Sequence, residues 1–229
     1  MSQTPINRDK AETILRQSGW LSLEPPAFQD EVLRRSILLR FPAGEVVYRF
    51  GDELGGIFGL VDGALTVNTA PPACIPRLIH IGAPGAWTGE GCFLTRQPRR
   101  IELRALIETW MMHLPLGHMD QMAAADPGVV RNFSHILMAS AEVLIRVIHD
   151  LQKPDAARRI ASVLQRATWI GEKPIPLTQS EIGVMANASR KQVNAVLARF
   201  SEAGWVKTDY RSITILDVEQ LRRFAVEDV

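Results

Sequence analysis

The 229-residue chain has only two cysteines, Cys74 and Cys92. Two thiols build neither a disulfide framework nor a four-ligand metal site. No apolar run reaches the length that crosses a bilayer, so no membrane partner is expected. The opening "MSQTPINRDKAETILRQ" has no apolar core behind a basic end. A secretory signal is therefore not expected, and the cytoplasm is the expected compartment. Catalytic signatures are missing as well: there is no nucleophile motif, no GxxxxGK phosphate loop and no dinucleotide fingerprint. Charge of one sign is also scarce, the net charge being +1. The stretch from Pro154 to Leu216 carries nine Lys/Arg against five Asp/Glu, a mild excess compatible with a phosphate-contacting face.

Residues 11 to 38 show a helical pattern broken at Pro25 and Pro26. From Phe41 to about Leu114 the chain changes character. Short β-rich pieces ("EVVYRF", "GIFGLV", "ALTVN", "RLIHI", "IELRAL", "TWMMHL") alternate with turns such as "FPAG", "FGDELGG", "VDG" and "GAPGAW". Closely spaced short strands with glycine-rich turns and no helix between them predict an antiparallel barrel or sandwich. A small barrel can be a cupin-like metal enzyme, but His80, His113, His118, His135 and His149 include no close His-x-His pair followed by Glu. An enzyme reading would rest on fold analogy alone; neither a catalytic nor a metal-binding residue is expected.

From Asp126 the pattern is helical. "DPGVV" puts Asp126 at an N-cap and Pro127 at the first helical position. Val130, Phe133, Leu137, Ser140, Leu144, Val147 and Leu151 then alternate steps of three and four. Such a seam suits pairing with a second helix, and the same pattern also fits an amphipathic helix lying on its own barrel. "LQKPDA" reads as a hinge, because Pro154 cannot donate to a continuing helix. A helix from about Asp155 to Trp169 follows.

"SEIGVMANASRKQVNAVLARF", residues 180 to 200, reads as two helices around a small turn. Thr178 and Glu181 make a capping-box pattern, Asn187 tolerates a left-handed turn, and Ser189 can cap the second helix. Val193, Val196, Leu197 and Phe200 form its buried stripe, leaving Arg190, Lys191, Gln192 and Asn194 outward at its start. That is a helix-turn-helix whose second helix enters the major groove of double-stranded DNA. Arginine suits guanine acceptors, and Gln or Asn suits an adenine edge. Lys191 fits a guanine or a phosphate, and Thr178 and Ser189 fit phosphate contacts. "GWVKTDYRSITILD" predicts two short strands whose basic turn, Lys207 to Arg211, forms a wing against the DNA backbone.

Barrel, long helix, hinge and winged helix-turn-helix, in that order, resemble the cyclic-AMP receptor and fumarate–nitrate regulator (Crp–Fnr) family of bacterial transcription regulators. The resemblance runs from about Leu33 to Leu216, most specifically in "PGAWTGEGCFLTRQPRRIELRALIETWMMHLP" and "LTQSEIGVMANASRKQVNAVLARFSEAGWVKTDYRSITILD". It implies an α+β fold: a jelly-roll, cyclic-nucleotide-binding-like antiparallel β-barrel over 1–126, a dimerisation helix over 127–153 and a winged helix-turn-helix over 154–229. It also implies a homodimer on a near-palindromic operator, with RNA polymerase as a further partner. Gly89, Glu90 and Arg99 match the family's phosphate cassette, with Arg100 the runner-up for the phosphate arginine. Arg100 stands where the family has a small residue, and Thr88 where an aromatic is common. The pair that reaches the adenine base falls on Leu144 and Ile145, which cannot hydrogen-bond one.

The effector therefore stays open in the sequence. It is a cyclic nucleotide (cyclic AMP or cyclic GMP) with other base contacts, a different small molecule, or none. In the last case Glu90 and Arg99 would form a structural ion pair in a degenerate cassette. An iron–sulfur sensor needs a cysteine cluster that the chain lacks, and nothing selects Cys74 or His80 as a haem ligand.

Overall fold

A computed structural model describes residues 6–71, 73–167, 174–210 and 212–226. The chain divides into two units, one of residues 1–76 and 82–143, the other of 77–81 and 144–229.

In the first unit, α1 (Arg8–Gln17) starts at Asn7, whose side chain accepts the Lys10 N–H at 2.9 Å. A 3-10 turn (Trp20–Leu23) leads to α2 (Pro26–Arg35). The Pro25–Pro26 break opens this helix: Pro26 takes a first-turn position, where a missing N–H removes no helical bond. The strands are β1 (Ile37–Phe41), β2 (Val46–Tyr48), β3 (Ile57–Asp62), β4 (Leu65–Thr69), β5 (Arg77–Gly82), β6 (Trp87–Thr88), β7 (Ile101–Ala105) and β8 (Thr109–Leu114), of which β5 falls in the second unit but for Gly82. One antiparallel sheet runs β1-β8-β3-β6, and in the other β2, β7 and β4 are successive neighbours. Tyr48, Leu65 and Leu103 from the second sheet pack with Phe58, Leu60 and Met111 from the first. The result is a jelly-roll-like pair of sheets that does not close into a continuous barrel.

Helices α3 (Glu90–Thr95) and α4 (Leu116–Ala125) follow in this part of the chain, and α5 (Val129–Leu151) begins in the first unit and ends in the second. Asp126 is shared by two helices: it caps the turn that opens α5, where its carbonyl accepts the Val129 N–H at 3.1 Å. Its N–H bonds the Met122 carbonyl, ending α4, and its carboxylate accepts the Gly128 N–H at 2.8 Å. Pro127 and Gly128 form the turn, and α5 starts at Val129.

The expected seam of α5 divides between a buried and an exposed face. Phe133 is 0% exposed, in a cluster with Trp20, Phe28 and Phe93, and Val147 is 6% exposed. Val130, Leu137, Leu144 and Leu151 of the expected seam are exposed and form a stripe with Ile148, Leu144 at 44% and Ile148 at 57%. The N-terminal segment holds the start of α5. The buried Glu24 carboxylate takes the Asn132 amide at 2.6 Å and His135 Nδ1 at 2.7 Å.

In the second unit, α6 (Ala156–Arg166) is capped by Asp155. The expected extension to Trp169 lies outside the described residues. Then come α7 (Gln179–Met185), α8 (Arg190–Glu202), β9 (Val206–Asp209), β10 (Ser212–Ile215) and α9 (Val218–Val226). Ile160, Leu164, Ile182, Val193, Leu197, Phe200 and Leu221 are its buried apolar residues. The paired β9 and β10 are the wing of a winged helix-turn-helix.

Candidate functional site

The first group of candidate residues lies on the helix-turn-helix. Both capping boxes are formed. Thr178 Oγ1 accepts the Glu181 N–H while Glu181 accepts the Thr178 N–H at 2.7 Å, and Ser189 and Gln192 repeat the arrangement. Thr178 and Ser189 therefore serve the helix ends directly. Asn187 adopts φ 45° in the turn, the left-handed value that asparagine tolerates. Gly183 allows the turn to come close: the Ala188 N–H bonds its carbonyl at 2.9 Å, and a Cβ there would sit 2.7 Å from the Ala188 oxygen.

Arg190, Lys191, Gln192 and Asn194 are all exposed at the start of α8. Gln192 is not free, however. Its Oε1 accepts from the Ser189 N–H at 2.9 Å and from Ser189 Oγ at 3.0 Å. A cleft of about 370 Å³ separates the start of α8 from the wing, lined by Thr178, Arg190, Asp209 and Tyr210 among others. Lys207 on β9 is exposed and faces the Asp209 carboxylate at 3.3 Å. Arg211 lies outside the described residues.

Sequence reasoning missed Arg159. From α6 its guanidinium bonds the Lys153 carbonyl at 2.7 Å and that of Pro154 at 3.1 Å, then the Ala186 carbonyl at 2.8 Å and that of Asn187 at 3.2 Å. One side chain ties the segment between α5 and α6 to the helix-turn-helix turn. Beside it, Asp150 at the end of α5 pairs with Lys153 at 2.8 Å and with Arg166.

The second group is the cassette between β6 and β7. Gly89 has φ 104° and precedes α3, and Glu90 and Arg99 are buried at 6% and 5% exposure. Burial pushes the Glu90 carboxyl above its ordinary pKa, against the pull of the Glu90 and Gly89 N–H groups and of Arg99. Among the described residues no ion pair joins Glu90 to Arg99. Arg99 instead donates to the Gly56 carbonyl at 2.8 Å and the Gly89 carbonyl at 3.3 Å, and lies 4.1 Å over the Tyr48 ring. The Tyr48 hydroxyl is buried and faces the Thr88 side chain without closing a hydrogen bond. Burial holds its pKa above the ordinary tyrosine value. Next along this stack, Phe58 lies on His113 at 4.2 Å, and burial together with the Arg99 charge lowers His113 to about 4.

Arg100 points elsewhere: its side chain is exposed, and its carbonyl accepts the Thr69 hydroxyl at 2.9 Å. Leu144 and Ile145 are exposed on α5. The two glycines of "ELGG" carry a signal that their reading as a turn did not use. A Cβ on Gly55 would sit 2.3 Å from the Arg99 guanidinium, and Gly56 supplies its acceptor. Among the described residues no three His, Cys, Asp or Glu side chains group as a metal site, and no helix is long and apolar enough to cross a membrane.

Comparison with known proteins agrees with this layout. A family model described as a cyclic nucleotide-binding domain matches residues 38–126, and one described as a Crp-like helix-turn-helix domain matches residues 158–224. The chain is 25% identical over 222 residues to a CRP-like cAMP-activated global transcriptional regulator of Mycobacterium tuberculosis, covering 93% of this chain and 99% of that protein. It is 23% identical over 210 residues to the transcriptional activator protein anr of Pseudomonas aeruginosa, covering 88% and 84%. The fold is similar to that of FixK2 from Bradyrhizobium japonicum, with a TM-score of 0.69 at 15% identity over 85% of this chain and 99% of that one.

Proposed function

We propose that the chain is a Crp–Fnr-type transcription regulator, a homodimer reading a near-palindromic DNA site under the control of a cyclic nucleotide. The observation that carries the effector is Arg99. A guanidinium buried to 5% exposure, with neutral carbonyls and aromatic faces as its contacts and no carboxylate partner among the described residues, favours an incoming anion. Arg99 and nearby backbone N–H groups would hold the phosphate, and Glu90 would accept from the ribose hydroxyl. Such a ligand would shift a population of DNA-binding states already present, by no more than its differential affinity for them.

On the output side, two α8 helices related by a two-fold would enter successive major grooves about one helical turn apart. The exposed stripe of α5 (Val130, Leu137, Leu144, Ile148 and Leu151) suits a second copy of the same helix, because these positions keep the heptad spacing of a paired seam. The part from Pro154 onward then acts as the DNA-binding domain beyond the α5 dimer helix, on cytoplasmic DNA and alongside RNA polymerase.

Calorimetric titration with cyclic AMP and cyclic GMP tests the effector. Micromolar binding by the wild type is expected, and Arg99→Ala should abolish it. No heat with either nucleotide, with DNA binding intact, would favour an effector-independent regulator with a degenerate cassette. Leu144→Lys should turn the dimer into a monomer in sedimentation velocity, since it places like charges across the stripe. A mutant that still sediments as a dimer would put the interface elsewhere.

A further inference from the structure

Resting on the DNA-binding reading above, we propose that Asn194 reads an adenine edge and that Gln192 positions the recognition helix without reading a base. Bidentate recognition of adenine takes both ends of one carboxamide: the oxygen accepts from N6 and the NH2 donates to N7. The oxygen end of Gln192 is already occupied. Its Oε1 takes the Ser189 N–H at 2.9 Å and the Ser189 Oγ at 3.0 Å, while Ser189 Oγ accepts the Gln192 N–H at 3.2 Å. A carboxamide oxygen offers two lone pairs, so this closed ring leaves none for a base. The amide cannot be turned over, because its NH2 would then meet the Ser189 N–H, which only donates. To read adenine, Gln192 would have to uncap the helix that carries it.

Asn194 has no such engagement. It is exposed, and its carboxamide has no hydrogen-bond partner among the described residues. Consecutive helical residues turn by about 100°, so Asn194 lies only about 40° from Arg190, one turn further along, whereas Gln192 lies on the other flank. The rise from Arg190 to Asn194 is roughly 6 Å, close to two base steps. Arg190 and Asn194 are thus placed to read one after the other along the groove, guanine by the first and adenine by the second.

The test is selection of bound DNA from a random library, with and without cyclic AMP and cyclic GMP, by the full-length wild type, Gln192→Glu, Gln192→Ala and Asn194→Ala. Glutamate keeps the acceptor that the cap needs but replaces the amide NH2. Gln192→Glu should select the wild-type motif. Gln192→Ala should select the same motif with affinity lowered evenly across sequences, a loss that glutamate rescues. Asn194→Ala should lose its preference for adenine at one position in each half-site. Placing 7-deazaadenine there, which removes N7, should weaken wild-type binding about tenfold and leave Asn194→Ala unaffected.

A motif that changes with Gln192→Glu, or an adenine that Asn194→Ala retains, would overturn the assignment. Salt-sensitive DNA binding with no selected motif would overturn it too, while leaving the DNA-binding reading in place. No DNA binding under any of these conditions would overturn both.

Discussion

Arg159→Ala is expected to destabilise the helix-turn-helix part of the chain by roughly 2–3 kcal/mol, the worth of hydrogen bonds to a charged donor whose acceptors are left unpaired. The four carbonyls it serves belong to Lys153, Pro154, Ala186 and Asn187. The first two lie in the connection after α5, read from the sequence as a hinge, and the last two in the turn before α8. Without the guanidinium, the turn and the hinge lose their direct tie, and specific DNA affinity should fall with stability. Hydrogen exchange checks this: amides around the 186–188 turn and the 153–154 hinge should exchange faster together. Arg159→Lys should recover part of the effect, because an ammonium can meet one pair of carbonyls but lacks the planar fork that spans both. Unchanged exchange in both segments would show that the tie contributes nothing.

That contact also shows where sequence reading stops. Local signals were legible because their physics is local. The pairing of Thr178 with Glu181 and of Ser189 with Gln192 is written in a three-residue spacing, and the positive φ of Asn187 in a residue type. The β-rich run and its glycine turns placed the two sheets. Gly89, Glu90 and Arg99 could be singled out from the Gly-Glu and arginine pattern; the structure gives Gly89 a left-handed φ and buries the other two. What escaped depends on distance in sequence. Arg159 finds acceptors 27 and 28 residues away, and nothing in "DAARRIAS" marks the second arginine over the first.

Phe133 and Val147 fit a heptad as well as their neighbours do, because period alone does not say which face a helix turns to its own protein. Helix α4 was hidden because its buried side is little more than Met119 and Met122. Gln192 suits an adenine edge by residue type alone, but its spacing from Ser189 also fits a cap, and a spacing that predicts a cap predicts a side chain already in use.

Gly89→Ala should disable the cassette as thoroughly as loss of Arg99 itself. Gly89 sits at φ +104°, and an added Cβ would lie 2.5 Å from an Arg99 guanidinium nitrogen and 2.7 Å from the Gly56 carbonyl oxygen. The backbone conformation alone costs a non-glycine residue about 1–3 kcal/mol. The steric conflict adds to this, since relieving it means moving either the Gly56 backbone or the buried arginine stacked on Tyr48. The expected result is a lower unfolding temperature together with loss of cyclic nucleotide binding in the calorimeter. Gly91→Ala is the control: it lies two residues on, inside α3, at a site where a Cβ would meet nothing within 4 Å. There alanine should be neutral or slightly stabilising, by up to about 1 kcal/mol, because it restricts the unfolded chain and favours helix. Equal unfolding temperatures for the two variants would mean that the cassette does not need the left-handed residue and that Arg99 can be held from another direction. A clear drop for Gly89→Ala with none for Gly91→Ala would fix the requirement at one carbon atom beside the guanidinium.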